Sequence, residues 1–454
     1  SATVEAQMLK RLTPALNRLR SSETGKAAGL AGAMIANNLI ALVASIVFAR
    51  LIGDYGALAA LVSYFLILSV VGLAMQVATA RDGVLGRLGQ GPDLVATLER
   101  WGRSLAAFTV VATILSVLLR QPIADLVGVP HQAWAASAGI PAGCAYLAVA
   151  IMRGALQGIG AYRPVGISLI GEQIIRLVAG SVLAVIGLGV AGAYLGGLIA
   201  FLAMAAYCML ELRGRLELEH ASEGVSAFGL WRHIRGAAVA IAALGVIQFL
   251  QNIDLIIAKH QFSEKVASSY AVAAVAAKVL IWVAMGVGFY LVPETSRLRS
   301  TGADTRHVLL RATGIIAACA IPCLLIFWVG AHELLTLVFG PKRAIASSAL
   351  LPLGAAFSVL AGTYLAVQYM LALRRSRFLI AIGLVAAIEP VLLLQGPSNP
   401  AGFATVVLGV QVLGAVLAYG LALRPVRTDP FVVPAAQPPA PGTVLQTPEL
   451  DRSA

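Results

Sequence analysis

Twelve apolar runs of membrane-spanning length dominate the chain. They fall near residues 28–49, 57–79, 103–119, 133–152, 164–188, 190–210, 237–258, 266–291, 308–330, 347–371, 376–394 and 402–422. About 20 mostly apolar residues cross the hydrocarbon core of a bilayer as a helix. Backbone polar groups at that depth must be satisfied internally, which the helix does. The runs therefore predict an all-α polytopic membrane protein with about twelve spans. Composition agrees, because only 12% of residues are charged, against roughly 25% in soluble domains. Pro141, Pro322 and Pro352 lie inside runs, where membrane helices tolerate them.

The net charge of +12 follows from topology rather than from nucleic-acid binding, which needs basic residues gathered on a polar surface. With the amino terminus in the cytoplasm, the loops on that side hold about four times as many Lys and Arg as those outside. Both termini are therefore expected in the cytoplasm. The first run is long enough to remain as a span, so no cleavable leader is expected.

The organisation predicted is a basic, amphipathic segment over 1–26, an N-lobe of six spans over 27–210, a polar linker over 211–236, a C-lobe of six spans over 237–422, and a proline-rich tail over 423–454 without periodicity. The Leu spacing of the first segment suits a membrane surface.

The two halves align on one another. Arg100–Pro130 and Arg311–Pro341 match without a gap at an offset of 211, closing with "IADLVGVP" and "LLTLVFGP". "FAR" ending at Arg50 faces "IAK" ending at Lys259, an offset of 209. Six spans per copy keep both copies in one orientation. The lobes should therefore be related by a pseudo-twofold axis along the membrane normal, with a site between them.

Charges at membrane depth are costly, about 2.5–3.5 kcal/mol for an Arg at the bilayer centre on insertion scales. Arg176 lies midway along the fifth run and Lys278 midway along the eighth. One cation per lobe near the midplane is what an anion site between the lobes requires. Glu172 precedes Arg176 by four residues, so the two can instead pair along one helix face. Lys278 has no such neighbour on its own helix. Polar residues at depth include Asn38, Gln76, Gln248 and Asp254, with Glu389 before Pro390. Single amides here usually make interhelical hydrogen bonds of about 0.6 kcal/mol. Asp254 and Glu389 are placed toward span ends, where charge is cheaper.

Catalytic signatures are absent. The chain has no GxxxxGK[ST], no HExxH or other metal spacing among its six His, and no Gly-x-Ser-x-Gly elbow. No cofactor is expected. Its four Cys (Cys144, Cys208, Cys319 and Cys323) fall inside apolar runs and read as buried apolar fillers.

Four stretches carry a family likeness: "FARLIGDYGALAALVSYFLIL" from Phe48, "MRGALQGIGAYRPVGISLIGEQIIRLVAG" from Met152, "NIDLIIAKHQFSEKVASSYAVAAVAAKVLIWVAMGVGFYLVPETSRL" from Asn252, and "LVFGPKRAIASSALLPLGAAF" from Leu337. In these the chain resembles the polysaccharide or O-antigen flippases, relatives of the lipid II flippases and the multidrug-and-toxic-compound extruders. The likeness spans about residues 27–422. It implies two six-helix lobes around a cationic cavity in a bacterial inner membrane. It also implies a substrate, a polyprenyl-diphosphate-linked glycan moved from the inner to the outer leaflet by alternating access.

The two extra carboxyl-terminal helices and the deep Arg residues in helix one of lipid II flippases have no counterpart here, which favours the oligosaccharide branch. On this reading Arg176 and Lys278 attract the diphosphate, helped by Arg81 and Arg153 near the cytoplasmic face. Asn38, Gln76 and Gln248 line the path, and Glu172 or Asp254 couples to an ion. Membrane lipids and glycosyltransferases or a polymerase of the same pathway are the implied partners. The alternatives are an ion-driven drug or metabolite exporter and a non-transporting membrane scaffold for glycan assembly.

Overall fold

The computed structural model describes residues 23–89, 91–216, 229–300, 304–373 and 375–424. Most of the expected surface segment, the middle of the linker and the proline-rich tail lie outside them. The first half comprises α1 (Glu23–Leu51), α2 (Tyr55–Leu68), α3 (Val70–Val84), α4 (Pro92–Leu118), the short α5 (Arg120–Val127), α6 (Gly139–Gly158), α7 (Tyr162–Leu183) and α8 (Gly189–Leu216). After α9 (Leu230–Gly236) come α10 (Ala238–Gln261), α11 (Glu264–Ala277), α12 (Val279–Ser300), α13 (Arg306–Phe339), α14 (Leu350–Ala372), α15 (Phe378–Leu394) and α16 (Pro400–Ala422). No strand occurs among the described residues.

Among the described residues, ten helical stretches are long and apolar enough to cross a membrane. One of them, Tyr162–Arg215, doubles back at Gly187 and Gly189. Their φ angles of 114° and 50° are ones a side chain would strain. Helices α7 and α8 thus count separately, and with the 17-residue apolar α15 the candidate crossings among the described residues number about twelve. Helix α4 starts at Pro92, well before the expected 103, because a helix can extend past its apolar part. Its polar turn is anchored by Arg213 Nη2 on Glu99 Oε1 at 2.8 Å.

The repeat is visible in shared irregularities. Helix α2 yields to α3 at Ser69 (φ −68°, ψ −12°), and α11 yields to α12 at Lys278 (φ −66°, ψ −12°). These positions are 209 apart, the offset of Arg50 and Lys259. The 3-10 turns Pro130–Gln132 and Pro341–Arg343 stand 211 apart. Each lies just beyond a glycine of positive φ, Gly128 (79°) or Gly340 (97°). Chance likeness between apolar helices would not reproduce such breaks.

Small residues let helices approach closely within each lobe. A Cβ on Gly196 would stand 2.5 Å from the Gly180 nitrogen, so α7 and α8 meet backbone to backbone. Cys144 and Cys208 are buried as expected, but Cys319 is exposed on α13 and Cys323 half-buried, because α13 presents that face outward. All four are free thiols.

The lobes are fastened where α1 turns into α2. Arg343 donates through Nε to the Ala49 carbonyl (2.9 Å) and through Nη2 to the carbonyls of Ile52 and Gly53. Lys259 Nζ holds the Asp54 carboxylate at 2.7 and 2.8 Å. The Gly56 amide donates to Ser268 Oγ (2.9 Å), and Arg50 Nη2 to the carbonyls of Leu337 and Val338.

Candidate functional site

Below this fastened end a cavity of about 240 Å³ opens between the lobes. Helix α1 contributes Asn37 and Asn38, α7 Gln173 and Arg176, α10 Gln251 and Asn252, and the break between α11 and α12 contributes Lys278. The two mid-depth cations, one from each lobe, therefore line one space. Lys278 donates to Asn252 Oδ1 (3.1 Å) and lies 5.4 Å from the centre of the Phe357 ring. Neither Arg176 nor Lys278 has a carboxylate in ion-pair range among the described residues. Lys278 is held by an amide oxygen, and the carboxylates of Asp254 and Glu172 act on the two cations only at longer range.

The i, i+4 pair considered from the sequence does not form. Glu172 Oε2 meets Arg153 Nη2 on α6 at 2.8 Å instead. Arg153 is 1% exposed and also donates to the Ser168 hydroxyl (2.7 Å) and carbonyl (2.8 Å). Neither Arg153 nor Glu172 lines the cavity, contrary to the expectation that one recruits substrate and the other carries an ion. Each is sealed in the N-lobe by the other, since a buried charge needs its partner.

Two more expectations need correction. Gln76 does not line the cavity; its carbonyl lies against α6, where a Cβ on Gly154 would come within 2.5 Å of it. Gln248 is one turn off, and its carbonyl accepts from Asn252 Nδ2 (2.8 Å) while Gln251 and Asn252 face the space. Arg81 is exposed in the last turn of α3, the span end where the sequence put it, 3.3 Å from Asp82. Asn38 does line the cavity, accepting from Asn37 Nδ2 at 3.2 Å. Gln173 and Trp282 also line it; the sequence offered no signal for them beyond polarity or aromaticity at depth. Gln173 and Gln251 each keep a buried amide oxygen with no donor, and such an atom is costly unless something donates to it.

Asp254 is fully buried in the C-lobe rather than near a cheap helix end. The Tyr270 hydroxyl donates to its Oδ2 (3.1 Å), and Gln411 Nε2 donates to Glu389 Oε1 (3.1 Å). Asp254 Oδ1 and Glu389 Oε2 have no hydrogen-bond donor. Two carboxyl groups thus share one buried interior, from α10 and α15.

At the far end, α9 of the linker docks on the N-lobe through His233. Its Nδ1 is 3.3 Å from Asp82 Oδ2, its Nε2 is 3.1 Å from Thr79 Oγ1, and its ring stacks on Trp101 at 4.8 Å. Arg81 and Arg87 also pair with Asp82. Burial pulls the imidazole pKa below its ordinary 6.5, outweighing the Asp82 carboxylate that pushes it up. A depressed folded-state pKa means that the docking contributes stability above the unfolded value and loses it as pH falls through the folded one. Hydrogen-exchange protection of the α9 amides should therefore hold above about pH 6.5 and fall as the pH is lowered further, and His233→Gln should flatten that dependence. Protection independent of pH would refute the assignment.

No protein-family model matches the sequence, and no curated protein matches it. Among solved structures, the lipid II flippase MurJ in an inward closed conformation matches with a TM-score of 0.69. The match covers 86% of this chain and 87% of that one, at 15% identity. The chain has the two-lobed MurJ/MATE transporter fold. The eukaryotic MATE transporter AtDTX14 matches at 0.65 over 89% and 96% of the two chains with 17% identity. The Vibrio cholerae MATE transporter VcmN in the bent form matches at 0.59 over 90% and 98%, again at 17%. At such identities the MurJ/MATE likeness is one of architecture.

Proposed function

We propose that this protein is a flippase for a polyprenyl-diphosphate-linked oligosaccharide in a bacterial inner membrane, working by alternating access. The observation that carries the reading is Arg176 and Lys278, from opposite lobes, lining one cavity without carboxylate partners. A diphosphate crossing a low-dielectric interior is costly, and two fixed cations lower that cost. Asn38, Asn252 and the unpartnered amide oxygens of Gln173 and Gln251 suit sugar hydroxyls. The lipid tail stays in the bilayer while the glycan crosses in the cavity.

Asp254, with Glu389 beside it in the C-lobe interior, is the candidate for carrying the coupling proton or monovalent cation. A cationic drug fits this cavity less well, since the charged side chains lining it are both basic. Both termini would lie in the cytoplasm, with the basic loops, and the fastened end would face outward.

Reconstitution tests the reading. Vesicles holding the protein and a fluorescent lipid-linked oligosaccharide should expose the label to a membrane-impermeant quencher faster than protein-free vesicles. In cells, depletion should make the lipid-linked intermediate accumulate on the cytoplasmic leaflet. Equal exposure rates with and without protein would remove the proposal.

A further inference from the structure

The fastened end carries two pockets that the repeat makes counterparts. One lies between the α5–Pro130 turn and the end of α10, the other between the α13–Pro341 turn and the end of α1. Their backbones correspond, through Gly128 and Gly340 and the two 3-10 turns. Their charges do not. The first, about 450 Å³, sets Asp54, Asp125 and Glu264 against Lys259, with two histidines. The second, about 680 Å³, gathers Arg50, Lys265, Lys342 and Arg343 around Glu264. Duplication hands both pockets one framework, so the charge difference was acquired afterwards.

Topology does not explain the basic pocket. The loops of this face hold six Lys and Arg (Arg50, Arg120, Lys259, Lys265, Lys342 and Arg343), and four of them line it. Positive charge is sparse on this side of the chain, as expected for the non-cytoplasmic face, yet it is concentrated here. Arg50 and Arg343 are held by backbone carbonyls rather than carboxylates. Neutral acceptors fix a guanidinium fork and leave its charge for an anion. Lys265 and Lys342 are exposed, and neither forms an ion pair among the described residues. Leu51, Leu337 and Ile345 beside them are exposed apolar side chains. Cations bordering exposed aliphatic surface at helix ends match a lipid headgroup with its chain attached, and a free anion would leave that aliphatic rim unused.

We propose that this pocket is a receiving site for an isoprenoid diphosphate in the leaflet at the fastened face. It takes over the head group as that group leaves Arg176 and Lys278. The assignment rests on the flippase reading for its ligand class, while the pocket itself stands on its own residues.

Lysine acylation footprinting of the full chain in phosphatidylcholine nanodiscs tests it, with farnesyl diphosphate as the probe. At a probe concentration ten times Kd, modification of Lys265 and Lys342 should slow about tenfold, while Lys259 in the counterpart pocket keeps its rate. Unchanged rates at Lys265 and Lys342 would overturn the site. Equal protection by inorganic diphosphate would overturn the lipid assignment, and so would full protection by added phosphatidylglycerol alone. The same footprint in Arg176→Ala protein should persist, and its loss there would refute an independent site. Persistent footprints in wild-type protein that fails the vesicle assay would remove the transport reading and leave this one standing.

Discussion

Arg176→Ala combined with Lys278→Ala is expected to abolish translocation while the protein still folds and inserts. Truncating a charge that engages a desolvated opposite charge costs about 2–5 kcal/mol, and each 1.36 kcal/mol is a factor of ten in rate. One substitution should therefore slow flipping by about thirtyfold or more, and the pair should bring it to background. Stability should fall only modestly, because neither cation is in ion-pair contact with a carboxylate: Glu172 keeps Arg153, and the buried Asp254 loses only the longer-range attraction of Lys278. Lys278→Ala leaves the Asn252 Oδ1 acceptor short of one donor, a loss of about 1 kcal/mol. Removing two desolvated charges works the other way. Lys278→Arg, which keeps the charge, should retain part of the rate. Initial flipping rates in vesicles, beside thermal melts of the same preparations, are the measurement. A double variant that flips at more than about a tenth of the wild-type rate would rule out these residues as the anion site.

Arg153→Ala should behave in the opposite way. Glu172 would be left charged and buried at 7% exposure, and Ser168 would lose a guanidinium it now accepts from. Breaking such a buried pair from one side costs about 3–5 kcal/mol, enough to lower the melting temperature markedly. Replacing both partners, Arg153→Met with Glu172→Gln, should recover most of that loss, since no unpaired charge then remains. Thermal denaturation of the purified single and double variants decides it. A stable Arg153→Ala protein with selectively weakened substrate binding would restore Arg153 to the substrate path.

These two expectations come from residues that looked alike in the sequence, all of them ions in or beside apolar helices. Glu172 stands four residues from Arg176 and nineteen from Arg153, so spacing favours the wrong partner. Only the packing of α6 against α7 shows which cation the carboxylate reaches. Gln248 and Gln251, one helical turn apart, share a face of α10, and only the depth at which the cavity ends separates them. In a soluble helix the apolar stripe would tell which face turns inward. In a membrane helix lipid is as apolar as the protein interior, so every face looks alike and periodicity carries no direction.

The amino-acid order alone determined the membrane-spanning class, the twelve crossings, the doubling of a six-span unit, and the presence of one cation at mid-depth in each half. Those follow from run length and from the cost of burying charge, which depend on composition along a line. Tertiary structure decided which polar side chains share a space, that spans two and eight break at Ser69 and Lys278, and that two equivalent pockets at the fastened end carry different charge. Such outcomes depend on how helices are rotated about their own axes. A bilayer that solvates every apolar face equally leaves that rotation to contacts between distant parts of the chain.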